Sequence, residues 1–230
     1  MNVLLLLATV IGVGGLVLAA ILSHVMGARL RAVALGIGAL SWLGLYTVGV
    51  LVTSLASHET VLAAGTTKRF CGFYLDCHLG VAVLSDSTAP AMAGSREVGT
   101  YHVLRLQFSS SALRATLTPY DLRIQVVDAD GRRYERDLEA EARLYGGTLG
   151  PLARPIRAGE SYTAPVVFSL PRDVTTPRLF VGEGLGIDRV IEGVLIGDED
   201  SFLHRKTMLA LPGQSESRRA ASQRVGRLTL

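Results

Sequence analysis

Leu122-Arg123-Ile124-Gln125-Val126-Val127-Asp128-Ala129-Asp130-Gly131-Arg132-Arg133-Tyr134 decides how the second half of this chain folds. Ile124 and Val126 alternate with Arg123 and Gln125, the period of two that puts apolar side chains on one face of a strand. Asp128-Ala129-Asp130-Gly131 then breaks the pattern with turn residues, and Gly131 tolerates the positive φ that a tight reversal needs. The segment therefore reads as a β-hairpin. Outward from it, runs rich in Val, Ile, Leu, Tyr and Phe and bounded by turn chemistry predict further strands. They are Lys68 to Leu75, His78 to Leu84, Tyr101 to Phe108, Leu122 to Val127, Arg132 to Arg136, Ser161 to Leu170, Arg178 to Val181 and Val190 to Ile196. Arg157-Ala158-Gly159-Glu160 marks a second turn, and Leu138 to Tyr145 reads as a helix crossing between strands. Many short strands with no long amphipathic helix predict an all-β, two-sheet antiparallel sandwich over 68–211.

The first quarter of the chain follows other rules. Asn2 to Leu22 and Ala32 to Leu55 contain neither charge nor proline. At about 1.5 Å per residue each spans the roughly 30 Å hydrocarbon layer of a bilayer. The first run lacks a positive n-region, and Ser23-His24-Val25-Met26-Gly27 is a poor cleavage site for a signal peptide, so both runs are expected to remain as a transmembrane hairpin over 1–56. Arg29 and Arg31 in the connection determine topology, because Lys and Arg near membrane ends resist translocation. The connection is expected to be cytoplasmic and everything after Leu55 extracytoplasmic, against the weaker opposing signal of Lys68 and Arg69. Gly15 and Ala19 give a small-xxx-small spacing along which the helices could pack. Residues 57–67 read as a linker, and 212–230 as a basic, disordered tail.

Two Lys stand against 21 Arg, and Asn2 is the sole asparagine, a bias expected of a GC-rich bacterial coding sequence. The formal net charge of +3 is matched by the tail alone, where Arg218, Arg219, Arg224 and Arg227 face Glu216. The rest is close to neutral, so no nucleic-acid partner is expected.

Three pieces in order resemble the immunoglobulin-like sandwich domains of unknown function found on bacterial membrane and lipoprotein-type proteins. They are Cys77-His78-Leu79-Gly80-Val81-Ala82-Val83, the hairpin from Leu122 to Tyr134 with its Asp-x-Asp-Gly turn, and Ile156 to Pro171. The resemblance covers roughly residues 70–210 and implies an immunoglobulin-like sandwich. It also implies an extracytoplasmic interaction or accessory module. The two preceding helices and the cysteine pair depart from that family.

Cys71 and Cys77 are the only cysteines. In an oxidising compartment an even pair predicts a disulfide. Six residues of straight strand would hold their Cα atoms about 20 Å apart, whereas a disulfide needs roughly 4.4 to 6.8 Å. The chain must bend between them. The alternative gathers Cys71, Cys77 and His78 with His102, or with His204 and Met208, into a copper or zinc site, since thiolate and imidazole suit those metals. Thiol redox chemistry is a related option, although Cys-x5-Cys is not the Cys-x-x-Cys of exchange enzymes.

Gly197-Asp198-Glu199-Asp200-Ser201 lacks the twelve-residue calcium-loop pattern and reads as an acidic turn paired with Arg205 and Lys206. Gly182-Glu183-Gly184-Leu185-Gly186 lacks the Lys of a phosphate loop. No nucleophile elbow accompanies the five histidines. The expectation is a non-enzymatic binding or accessory module in the bacterial cytoplasmic (inner) membrane. It would need no cofactor, and its partners would be the lipid bilayer and a membrane or envelope protein. The alternatives are an envelope copper-handling or thiol-redox protein, and a small subunit of a membrane complex.

Overall fold

The computed structural model describes residues 2–70, 77–89, 99–144, 152, 154–184 and 186–212. The chain forms two compact units, one of Met1–Glu59 with Gly186–Lys206, the other of Thr60–Leu185 with Thr207–Leu230.

The first unit is built on α1 (Asn2–Val25) and α2 (Arg29–Leu55). α1 stops at Gly27, whose φ of 83° places it in the left-handed region. The Gly27 N–H donates to the His24 carbonyl and the Ala28 N–H to the Ser23 carbonyl, the paired bonds that close a helix on a C-terminal glycine. Nothing after Ala28 breaks a helix, so α2 begins at Arg29 rather than Ala32. Arg29 and Arg31 lie in its first turn, not in a loop.

The two helices meet where the Trp42 ring lies against Gly12, 3.3 Å from where a Cβ would sit, and its indole N–H donates to Thr9 Oγ1 at 3.4 Å. No atom lies within 4 Å of a Cβ built on Gly15, so the Gly15/Ala19 spacing does not mark the contact. A bulky indole fills the space that two small residues were expected to close.

The second unit is a sandwich of two sheets. One has the order β1-β9-β8-β5-β6, from β1 (Thr60–Leu62), β9 (Thr207–Ala210), β8 (Arg178–Gly182), β5 (Arg123–Val127) and β6 (Arg133–Glu135). The other has the order β2-β3-β4-β7, from β2 (Lys68–Phe70), β3 (Leu79–Ala89), β4 (Gly99–Ser110) and β7 (Ser161–Pro171). The hairpin is as read: Val127 pairs with Arg133 across the Asp128–Arg132 turn. A single core joins Val81, Leu104, Leu106, Phe108, Val166 and Phe168 of one sheet to Ile124, Val126, Leu179, Val181 and Leu209 of the other. These residues alternate along their strands, the inward set of each pleat. The short helix α3 (Leu138–Leu144) covers the outer face of the second sheet, where Ala140 packs with Tyr101 and Val167.

Three expectations change. Val190 to Ile196 is not a strand: α4 (Gly186–Glu192) runs through its start and turns follow. Ile187, Val190 and Val194 are spaced three and four apart, which fits a helical stripe as well as Val190 to Ile196 fits a strand. The residues 186–206 belong to the helical unit, so the sandwich is not continuous from 68 to 211. The expected linker 57–67 contains β1, which pairs in parallel with β9, Thr60 opposite Thr207. Parallel pairing of strands so distant in sequence leaves no local signature.

Candidate functional site

Among the described residues, His78 and His102 of the expected cysteine and histidine cluster are not brought together. Cys71 lies outside the described residues, so its pairing with Cys77 does too. Phe70 and Leu79, on either side of that stretch, are partners across the antiparallel β2–β3 pair. The register separates two of the residues that the metal alternative would gather, His78 and His102. His78 precedes Leu79, which pairs with Ser110 at one end of the β3–β4 ribbon, whereas His102 pairs with Thr88 near the other. Ten residues of strand put them about 30 Å apart. Each has a local partner instead: His78 Nδ1 lies 3.2 Å from Ser111 Oγ, and His102 Nδ1 lies 3.1 Å from both oxygens of Asp86. Among the described residues, no three His, Cys, Asp or Glu side chains come together as a metal site.

The polar groups inside the sandwich bind its own elements together. Asp128 is buried; its Oδ1 accepts the N–H groups of Asp130 and Arg132 and its Oδ2 accepts Arg132 Nε and the Tyr134 hydroxyl. Burial alone would raise its pKa, but the bonds from Arg132 and Tyr134 outweigh it and hold the carboxyl below the usual range. Arg132 continues the chain to Asp173 at 2.9 Å. Lys68, 3% exposed, donates to the carbonyls of Val181 at 2.8 Å and Thr207 at 3.3 Å, with its ammonium 5.3 Å from the Phe180 ring and 5.9 Å from Phe70. It thereby ties β2 of one sheet to β8 and β9 of the other. Its aromatic neighbours and carbonyls supply what water would otherwise give an ammonium.

The helical unit presents a large apolar surface. α1 and α2 are long and apolar enough to cross a membrane, yet only 6% and 11% of their most apolar windows are buried. Core helices of a soluble protein bury such surface; these display it. The segment 186–206 packs onto this pair. The Tyr46 hydroxyl donates to the Val194 carbonyl at 2.9 Å. Ile196 Cδ1 comes within 3.1 Å of where a Cβ would sit on Gly49, and the Arg205 N–H donates to Ser57 Oγ at 2.8 Å. Tyr46, unassigned by its position inside an apolar run, is the hinge pin of this contact.

Between the segment and the helices runs an apolar groove of about 660 Å³, lined among others by Val10, Tyr46, Thr47, Val194 and Phe202. The acidic turn is paired as expected with Lys206, whose ammonium lies 2.6 Å from Asp200 Oδ1 and 2.7 Å from the Glu199 carbonyl oxygen. Glu192 is buried, with the carboxylates of Asp200, Asp198 and Asp188 near enough to act on it.

No protein-family model matches the chain, and no curated protein matches it. Among solved structures it is similar to the secreted protein MPT63 of Mycobacterium tuberculosis, at 17% identity over 58% of this chain and 95% of that one, with a TM-score of 0.40. It is also similar to the yjhA protein of Bacillus subtilis, at 12% identity over 65% of this chain and 98% of that one, with a TM-score of 0.40. An uncharacterized β-sandwich protein of Clostridium difficile matches at 12% identity over 67% of this chain and 95% of that one, with a TM-score of 0.36.

Proposed function

We propose that this chain is an inner-membrane protein in which a two-helix anchor tethers an extracytoplasmic, immunoglobulin-like β-sandwich that serves as a non-catalytic binding or accessory module for an envelope partner. The observation that carries the reading is the exposed apolar surface of α1 and α2. Leaving so large a continuous apolar surface in water is unfavourable at roughly 25 cal/mol per Å², and a bilayer removes that cost. The sandwich adds support of a second kind. The described polar groups discussed above, Asp128, Arg132, Lys68, His78 and His102, are engaged with their own fold.

In the same compartment, Cys71 and Cys77 form a structural disulfide at the β2–β3 connection. This would constrain the unfolded chain by about 2 kcal/mol. Mass spectrometry with and without reductant, after thiol alkylation, reads it directly.

The orientation is tested by two reporter fusions, an alkaline phosphatase after Leu230 and another inserted at the Gly27–Ala28 turn between the helices. The C-terminal fusion is expected to be active and the other inactive. The opposite pattern would place the sandwich in the cytoplasm and remove the ground for both the envelope partner and the disulfide. Release of the chain from membranes by alkaline carbonate would remove the anchor itself.

A further inference from the structure

The segment 186–206 leaves the sandwich after β8, joins the helical unit and returns at β9. Its apolar side chains divide between two surfaces. Ile196 faces α2 at Gly49, and Leu195 is buried. Ile187, Val190 and Leu203 are exposed at 70%, 71% and 54%, and Val194 and Phe202, at 46% and 65% exposure, line the open groove beside α1 and α2. Five large apolar side chains stand exposed within 17 residues, a local concentration of the kind that marks an interaction surface. On α4, Ile187 and Val190 share one helical face with Val194 just beyond it, while Asp188, Arg189 and Glu192 lie off that stripe.

Depth along α2 decides what meets the patch. α2 has 27 residues, about 40 Å, against a hydrocarbon layer of about 30 Å, so a centred helix overshoots by about 5 Å at each end. Gly49 and Tyr46 precede Leu55 by six and nine residues, which is about 9 and 13 Å along the axis. The contacts that hold the segment thus fall about 4 and 8 Å inside the apolar layer. Val194 and Phe202 adjoin Val10, Tyr46 and Thr47 of the hairpin at the apolar groove.

An irregular segment can occupy that depth only if its backbone polar groups are satisfied within the protein. Several of them are, around the turn that carries the contacts. The N–H groups of Gly193, Val194 and Leu195 donate to the carbonyls of Arg189, Ile191 and Glu192, and the Phe202 N–H donates to the Gly193 carbonyl. The Val194 carbonyl accepts from Tyr46, and the Leu195 carbonyl accepts from the Ser201 hydroxyl. A loop built for water has no need of a tyrosine hydroxyl from inside an apolar helix.

We propose that residues 186–206 form a re-entrant elbow that inserts Ile187, Val190, Val194, Phe202 and Leu203 among lipid acyl chains, in the leaflet that holds the start of α1 and the end of α2. The partner is the bilayer itself. The sandwich is then tied to the membrane at two points of its chain, ahead of β1 and between β8 and β9. The inference rests on the hairpin being the membrane anchor, and the test separates the two.

Trp42 is the only tryptophan, so the full chain carries a built-in reporter of the hairpin. The protein is reconstituted into phosphatidylcholine vesicles with or without bromine on the acyl chains, which quenches only indoles in contact with the chains. Trp42 emission should fall at least twofold in brominated lipid. In the Trp42→Phe background, Phe202→Trp and Val190→Trp each move the indole to the elbow, and each should be quenched at least twofold while remaining shielded from aqueous acrylamide. If Trp42→Phe unsettles the helix packing at Gly12, Phe202→Trp with Trp42 retained gives the same answer by difference. Quenching of Trp42 with no quenching at 202 or 190, and open access of acrylamide there, overturns the elbow and leaves the anchor standing. Absence of quenching at all three positions overturns both.

Discussion

Replacing Glu141 by Ala should unfasten the free edge of β7. Val103 opposes Val167 across the β4–β7 pair, and the Val167 backbone groups turn away from β4 toward α3. The Val167 N–H donates to Glu141 Oε1 at 3.0 Å, and its carbonyl accepts from the Asp137 N–H at 2.8 Å. Glu141 is 1% exposed and also accepts from Arg136, through Nε at 2.9 Å and through Nη2. Asp137 caps α3 by accepting the Ala140 N–H at 2.8 Å, so the helix and the strand edge are fastened by adjacent residues. Truncation to Ala leaves a buried N–H without an acceptor, which costs about 1–3 kcal/mol. It also breaks a buried pair, for which about 3–5 kcal/mol is usual. The Arg136 side chain keeps 18% exposure and can turn to water, which favours the lower end. About 3 kcal/mol is therefore expected, or about 1.5 M in urea midpoint at a slope near 2 kcal/mol per M. Glu141→Gln keeps an oxygen for Val167 and should lose about half as much. Arg136→Met with Glu141→Leu removes both charges, and its remaining deficit reports the orphaned N–H. Equilibrium urea unfolding of the full chain in mild detergent, followed by far-UV circular dichroism, reads all of these. A midpoint shift below about 0.5 M for Glu141→Ala would refute the reasoning, because no buried strand edge would then depend on that carboxylate.

Phe168→Ala should cost about 3–5 kcal/mol in the same titration, since Phe168 is fully buried at the centre of the shared core. A loss under about 1.5 kcal/mol would mean that the two sheets do not close on it. Asp128→Ala should lower the thermal midpoint and abolish the slow exchange of the Asp130 and Arg132 amides, both of which bond to its Oδ1; retained protection would show that the turn holds without it.

What the sequence discloses here is what it encodes locally. The Asp128–Gly131 turn is legible because its bonds run from Asp128 to residues two and four positions away. The apolar helices are legible because length and absence of charge suffice. The rest depends on pairs that no short window contains. Tyr46 and Val194 are 148 positions apart, and Lys68 reaches a carbonyl 113 positions away. Val190 to Ile196 defeats pattern reading in a more specific way. Helix and strand differ in period, yet a run with hardly a polar interruption fits both, and the choice fell to what it packs against. His78 and His102 fail through register: strands as long as β3 and β4 carry chemically suggestive residues to opposite ends of one ribbon. The same physics explains why the elbow went unseen. Its apolar residues look like one more core strand until Tyr46 and Gly49 give them a different surface to cover. A chain that spends five large apolar side chains on the outside of this segment, with the N–H groups of Gly193, Val194, Leu195 and Phe202 bonded from within, has arranged it for a solvent other than water.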